Sequence, residues 1–260
     1  MNANARCCYI DLDGTLLGFG GSILRAGDDT RSDAGIRALE ALDAAHIPYV
    51  FVSGRSKARL DVIARLLGAH SVLAELGALD AGFPTAPGQT VHQAIAATGI
   101  VDALLAREPH LEIHPGAAWG RIGSHCVRGV ASTDTADWVA TYSDGTLRFA
   151  DNGHIGPGDT HIYHVLPTPA TKALSVSRHV TEHGFDPAQC LAIGDSAEDF
   201  EMRTCVGAFA LVRNGADVDP ELARRAAWIT AGSNGAGVLE AVTQWLAGTA
   251  CTHAIGSPHG

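Results

Sequence analysis

Apolar positions along the chain alternate between two patterns: short β-branched or aromatic runs, and stretches with an apolar residue every third or fourth place. The run Cys7 to Leu12 is strand-like and stops at acidic residues and Gly14. Ser32 or Asp33 is placed to cap a helix through Ala45, since Ile36, Leu39 and Leu42 then share one face. Ile47 to Val52 reads as a second strand halted by Ser53-Gly54, Ser56 to Leu67 as a helix, and Ser71 to Leu76 as a third strand. This cadence predicts a parallel sheet with helices on both faces.

The cadence breaks between Gly77 and Gly88, where Gly and Pro cluster. One helix is expected from Val91 to Arg107. Shorter strands follow at Ile122 to Val130 and Thr146 to Ala150, with tight turns at Asp144-Gly145 and Asn152-Gly153. Such dipeptides favour hairpins, so the middle of the chain reads as an antiparallel module. From Pro167 the first pattern resumes, with a helix from Lys172 to His183 and strands at Leu191 to Ile193 and Ala208 to Val212. A further helix is expected near Asp199 and a last one from Gly237 to Leu246. The expectation is an α/β core of residues 1–80 and 165–248, an inserted module at 81–164, and a disordered tail at 249–260.

Composition narrows the class. The 260 residues are 46% hydrophobic, enough for a sizeable core without disulfide or metal staples. A net charge of -10 argues against nucleic acid or an anionic membrane surface as partner. No apolar run reaches the roughly 20 residues of a membrane-spanning helix. Met1 to Arg6 lacks the apolar stretch of a signal peptide, so a cytoplasmic location is expected. Six cysteines without a C-x-x-C pair suit buried reduced thiols, and adjacent Cys7 and Cys8 should face opposite sides of a strand. Trp119 and Trp138 read as packing residues of the module; the pairs His110/His114 and His161/His164 read as solvated or substrate-contacting.

Ligands of open parallel sheets bind beyond the carboxyl ends of the strands. Here each such end carries chemistry: Asp11-Leu12-Asp13-Gly14-Thr15, then Ser53-Gly54-Arg55, then Gly194-Asp195-Ser196-Ala197-Glu198-Asp199, with Lys172 opening a helix. Carboxylates converging on one crevice repel unless a cation sits among them, and hard oxygen ligands suit Mg²⁺. Lys172 is one of two lysines in the chain, the other being Lys57. A helix start disfavours an idle cation, which marks Lys172 as functional.

In order and position these motifs resemble those of the haloacid dehalogenase (HAD) superfamily of phosphotransferases. Phe209-Ala210-Leu211-Val212 with Asn214, and Asn234-Gly235-Ala236-Gly237-Val238, extend the likeness. The resemblance implies a Rossmann-like core with an α+β cap. It implies Asp11 as nucleophile and Asp13 as general acid and base. Ser53, Lys172 and the backbone amides near Leu12, Asp13 and Gly54 would hold phosphate. Mg²⁺ would be held by Asp11, the Asp13 carbonyl and Asp195, with Asp199 helping. Arg55, His164, Ser196, Glu198 and Asn214 are further candidates for substrate contact or the outer shell; Glu198 stands where many relatives have Asn.

Asp13 and Ser53 are 40 residues apart, whereas 119 separate Ser53 from Lys172, so the cap falls between the second and third motifs. That placement is similar to the branch with Cof-like, sucrose-phosphate, trehalose-phosphate and mannosyl-phosphoglycerate phosphatases. It implies a Mg²⁺-dependent phosphomonoesterase acting on a small phosphorylated metabolite, a sugar or cyclitol phosphate, through an aspartyl-phosphate. A phosphomutase and a catalytically silent binding protein are the alternatives. Residues 80 to 160 hold nine acids against four arginines. On composition, that favours a polyhydroxylated or amino-bearing leaving group over one with a second phosphate or a carboxylate.

Overall fold

The computed structural model describes residues 6–118, 120–154 and 159–252; Trp119 and the tail from residue 253 lie outside them. The chain opens with β1 (Cys8–Asp11), α1 (Ala34–Ala44), β2 (Tyr49–Val52), α2 (Lys57–Leu67) and β3 (Ser71–Leu73). Next come α3 (Val91–Ala97), α4 (Ile100–Arg107), β4 (Leu111–Ile113), β5 (His125–Gly129), α5 (Thr135–Tyr142), β6 (Leu147–His154) and β7 (His161–Pro167). It returns through α6 (Lys172–His183), β8 (Leu191–Gly194), α7 (Ala197–Phe200) and β9 (Ala208–Leu211). It closes with α8 (Arg213–Val218), α9 (Pro220–Arg225) and α10 (Asn234–Leu246).

Two sheets result. One is five-stranded in the order β3-β2-β1-β8-β9, with every pair parallel. Its strands are apolar without alternation because both faces are covered. Cys8 and Ile10 pack on one side with Leu39 and Leu42 of α1 and Val242 of α10. Cys7 and Tyr9 pack on the other with Val176 and Val180 of α6. Cys7 and Cys8 therefore do face opposite ways; all six cysteines are free and four are buried.

The second sheet is antiparallel, in the order β4-β5-β7-β6. Val127, Tyr163, Val165 and Leu147 point from one face into a small core with Ile100 and Leu104 of α4 and Val139 of α5. Period-two alternation puts Cys126, Ile162, His164 and Asn152 on the opposite face, where they line a cavity shared with the parallel sheet. Trp138 packs edge-on to this small core, its ring 5.0 Å from that of Tyr142.

Several expected elements differ. The helix expected over 91–107 is two helices, because Gly99 takes a left-handed φ of 75° between them. The expected strand through Leu76 stops at Leu73, since Glu75, Leu76 and Gly77 all adopt positive φ. Asp144-Gly145 is not a hairpin turn: it joins α5, a helix of low intrinsic propensity, to β6. Asn152-Gly153 sits inside β6, where the register with β7 shifts between Asp151 and His154. The short helices α8 and α9 were not expected, and α10 starts at Asn234 rather than Gly237.

Buried histidines make stability depend on pH. Burial, reinforced by His183 and His70, lowers the His179 pKa to about 4; its Nδ1 lies 3.0 Å from the Tyr9 hydroxyl. Burial lowers His125 to about 4 as well. A histidine of depressed pKa takes up its proton more readily in the unfolded chain, so its contribution to stability is whole above about pH 6.5 and is lost as pH falls toward 4. Wild type should therefore lose stability relative to His179→Gln between pH 7 and pH 5 in urea unfolding. Parallel pH profiles for the two proteins would contradict this.

Candidate active site

The carboxyl ends of β1, β2 and β8 lie side by side, as the parallel registers require. Beyond them opens a cavity of about 570 Å³ lined by Asp11, Asp13, Ser53, Gly54, Lys172 and Asp195, together with Arg55, Ser196 and Asp199. Asp11 ends β1 and is buried. Lys172, at the start of α6, is buried too, and its Nζ donates to Asp11 Oδ1 and to Asp199 Oδ1, each at 2.6 Å. Thr171 caps α6 by accepting from the Leu174 N–H, which fixes where that lysine emerges.

Asp199 owes its place to a capping box on α7. Its Oδ2 accepts from the backbone N–H groups of Asp195 and Ser196 and from the Ser196 hydroxyl (2.6 Å). Both its oxygens are thereby engaged. Asp195 instead turns toward the cavity, with Oδ1 accepting from the Thr15 hydroxyl at 2.8 Å. Its carboxylate lies over Gly14, whose φ is 83°; a Cβ there would fall 2.2 Å from Asp195 Oδ2. Only glycine meets both demands.

The electrostatics of the three acids follow from that crowding. Burial first, then the Asp199 carboxylate, push Asp11 well above the usual range, with Lys172 opposing them. The same two causes raise Asp195 to about 7. Burial works against the charge of Lys172, but Asp11 and Asp199 outweigh it and raise its pKa. One ligand atom from each of Asp11, Asp195 and Asp199 lies within 4.8 Å of the others, the one such group among the described residues. Asp11 Oδ2 is buried with no hydrogen-bond partner. Three carboxylates against one ammonium leave a net negative pocket, and an orphaned buried oxygen is costly. A hard divalent cation satisfies both, so the residues fit Mg²⁺.

The remaining expected residues divide. Arg55 grips Asp13 with Nε and Nη2 at 2.7 and 2.6 Å, and Ser53 Oγ accepts the Arg55 N–H. Asp13 is otherwise half exposed. The Leu12 side chain belongs to the core, so only its backbone is available to a ligand. His164 lines the cavity fully buried; burial, then the charge of Arg121, hold its pKa well below the usual value. Asn214 does not line the cavity but donates to the Gly14 carbonyl (2.8 Å), as does Asn234 (2.7 Å), pinning the loop after Asp11. Glu198 is also outside it, bound by both terminal nitrogens of Arg148 at 2.8 and 3.1 Å; it ties the two sheets' modules together.

Sequence reasoning assigned no site role to Glu75, Arg59 or Arg121. Glu75 is buried and accepts from the N–H groups of Ile122, Gly123 and Ser124 and from the Ser124 hydroxyl. The positive φ at Glu75 and Leu76 is the local strain that aims it there. Arg121 donates to the Gly54 carbonyl and to Ser124 Oγ, both at 3.1 Å. No local pattern pairs Glu75 with a segment 47 to 49 positions on, or Arg121 with Gly54, 67 positions back.

An open parallel α/β sheet with an inserted antiparallel module gathers acids at its strand ends around one lysine, in the crevice where sheets of this kind bind their ligands. Residues 125–242 match the model of the haloacid dehalogenase-like hydrolases. The chain is 31% identical over 81 residues to a candidate phosphatase of Streptococcus pyogenes serotype M6, a stretch covering 31% of this chain and 29% of that relative's length. Among solved structures, a Thermoplasma acidophilum protein superposes with a TM-score of 0.70 at 16% identity, covering 93% of this chain and 98% of the other. The sucrose-phosphatase of Synechocystis, solved with sucrose and phosphate, gives 0.63 at 17% identity over 93% and 98%. Among the described residues no helix is long and apolar enough to cross a membrane.

Proposed function

We propose that the protein is a Mg²⁺-dependent phosphomonoesterase, with residues 81–164 as a cap over a small phosphorylated metabolite whose skeleton is a sugar or cyclitol. The observation that carries this reading is the group of Asp11, Asp195 and Asp199 around the buried Lys172, with Asp11 Oδ2 unpaired. Asp11 and Asp195, with the Asp13 carbonyl, would hold the cation. When bound, Mg²⁺ supplies positive charge next to the phosphoryl oxygens.

Lys172 fixes the Asp11 carboxylate by its Oδ1, and the carboxylate attacks phosphorus in line. The phosphorus–alkoxide bond breaks as the aspartyl-phosphate forms, and Asp13 gives its proton to the departing oxygen. Asp13 then takes a proton from water, whose oxygen attacks phosphorus; the acyl-phosphate bond breaks and Asp11 is restored. Arg55 must release Asp13 for this, and an arriving phosphate dianion competes for the same guanidinium. Asp199, held by its capping box, keeps Lys172 aligned. A polar, hydroxyl-bearing leaving group suits the far wall, where Asn152 lies and where His164 Nε2 is buried without a partner. The likeness to a sucrose-phosphatase fold agrees with such a skeleton.

The test is phosphate release from sugar, cyclitol and nucleotide monophosphates and from p-nitrophenyl phosphate, with Mg²⁺ or with excess chelator. Turnover is expected only with Mg²⁺. Saturating Mg²⁺ at 100 times its Kd should also add about 2.7 kcal/mol of stability, a Tm rise of roughly 5–10 °C. Undiminished release in chelator would overturn the metal assignment, and silence across the whole panel would overturn the phosphatase reading.

A further inference from the structure

The cap's overall acidity does not describe the surface it turns to the cavity. Several of its acids are spent within the module: Glu108 on Ser132, Thr135 and Arg107; Glu112 on Arg128; Asp151 on His161. None of the cap residues lining the cavity is an Asp or Glu. The lining instead brings Arg121 and His114 from the cap against Arg59 from α2. Arg59 and His114 meet at Gly116, where a Cβ would fall 2.9 Å from Arg59 Nη1 and 3.0 Å from His114 Nδ1.

Arg121 is the best-built of the three. Its side chain is only 8% exposed, held by the Gly54 carbonyl, Ser124 Oγ and, at 3.7 Å, the buried Glu75 carboxylate. Even so, its Nε is buried with no acceptor. A guanidinium N–H shut away from water without a partner is costly, and the natural acceptor is an oxyanion. The electrostatics agree: burial, then Arg128, Arg121 and Arg59, lower the pKa of His114, with Glu112 opposing them. Arg121 also donates to the carbonyl of Gly54, next to the Ser53 expected to hold phosphate, so the wall adjoins that end of the cavity.

We propose that this wall, with Arg121 at its centre and Arg59 beside it, recognises a second oxyanion on the leaving portion of the substrate, a carboxylate or a second phosphate on the sugar-like skeleton. The assignment rests on the phosphomonoesterase reading and narrows it. It also reverses the expectation drawn from the cap's composition, because net charge counts residues and the substrate meets only one face.

Two matched pairs test it: 3-phosphoglycerate against glycerol 3-phosphate, which exchanges a carboxylate for a hydroxymethyl group, and fructose 1,6-bisphosphate against fructose 6-phosphate. With Mg²⁺ present, kcat/KM for the oxyanion-bearing member of at least one pair should exceed its partner's by about 10- to 100-fold, the worth of hydrogen bonds to a charged group. The pair that shows the preference tells carboxylate from phosphate. In Arg121→Gln that ratio should collapse toward one, chiefly through KM; Arg121→Lys should restore part of it, and Arg59→Gln should lower it too. In parallel, the oxyanion-bearing member should raise Tm more than its partner, which reads binding without turnover. Ratios and shifts at or below parity in both pairs, with p-nitrophenyl phosphate still hydrolysed, overturn this inference and leave the phosphatase reading standing. No hydrolysis of any ester, with the Tm preference intact, does the reverse.

Discussion

Asp11→Asn should lower phosphate release by at least about 10⁴-fold, the scale on which enzymes lose rate when a covalent nucleophile is removed. The same variant should be as stable as the wild type without added metal, or more so. Asp11 is buried beside two other carboxylates, and burial with Asp199 makes its charge unfavourable. An amide keeps the oxygen that Lys172 grips while removing one of three crowded charges. Activity by phosphate release and Tm by calorimetry together check this. Retained turnover would sink the nucleophile assignment, and a large loss of Tm would show that Asp11 is instead a net stabilising partner of Lys172.

Lys172→Met should give the largest stability loss at the site. It leaves Asp11 and Asp199 buried without the ammonium that bridges them. Breaking a buried ion pair by removing one partner costs about 3–5 kcal/mol, or roughly 10 °C in Tm for a chain of this size. Protonation relieves what the lysine no longer neutralises, so the deficit should narrow from pH 7.5 to pH 5.5. Mg²⁺ should narrow it as well. Lys172→Arg keeps the charge, but its planar fork does not reproduce two 2.6 Å bonds from one nitrogen. It should recover stability better than activity. A Lys172→Met protein as stable as the wild type at pH 7.5 would mean the three acids are not jointly ionised.

Much of the reacting end was legible before any coordinates. Asp11, Ser53, Lys172 and Asp195 stand at strand or helix ends that apolar periodicity locates, and right-handed crossovers carry every such end to the same edge of a parallel sheet. Naming the strands therefore names the residues that meet there. Arg55 on Asp13, the lock of Asn214 and Asn234 on Gly14, and Arg148 on Glu198 were not legible. Each depends on side-chain direction across gaps of 42 to 220 residues, which no local pattern encodes. Glu75 shows the limit most sharply. As the continuation of a strand it would have been unremarkable, but left-handed backbone at Glu75 and Leu76 turns it into the acceptor that holds residues 122–124.

The antiparallel module marks the same boundary from the other side. Alternation along β5, β6 and β7 separates two faces but does not say which one meets the core, since a strand pattern reads the same from either side. Its helices cover the face with Val127, Tyr163 and Val165, which leaves Cys126, Ile162 and His164 to the cavity. The order of acids, hydroxyl and lysine along the chain, and the parallel sheet that gathers them, were determined by the sequence alone because both follow from local periodicity and chain handedness. Which charges line the cavity was decided only by tertiary packing, because burying the apolar face of the second sheet against its own helices turns the other face, with Arg121 beside it, to the cavity and leaves the antiparallel module's acids elsewhere.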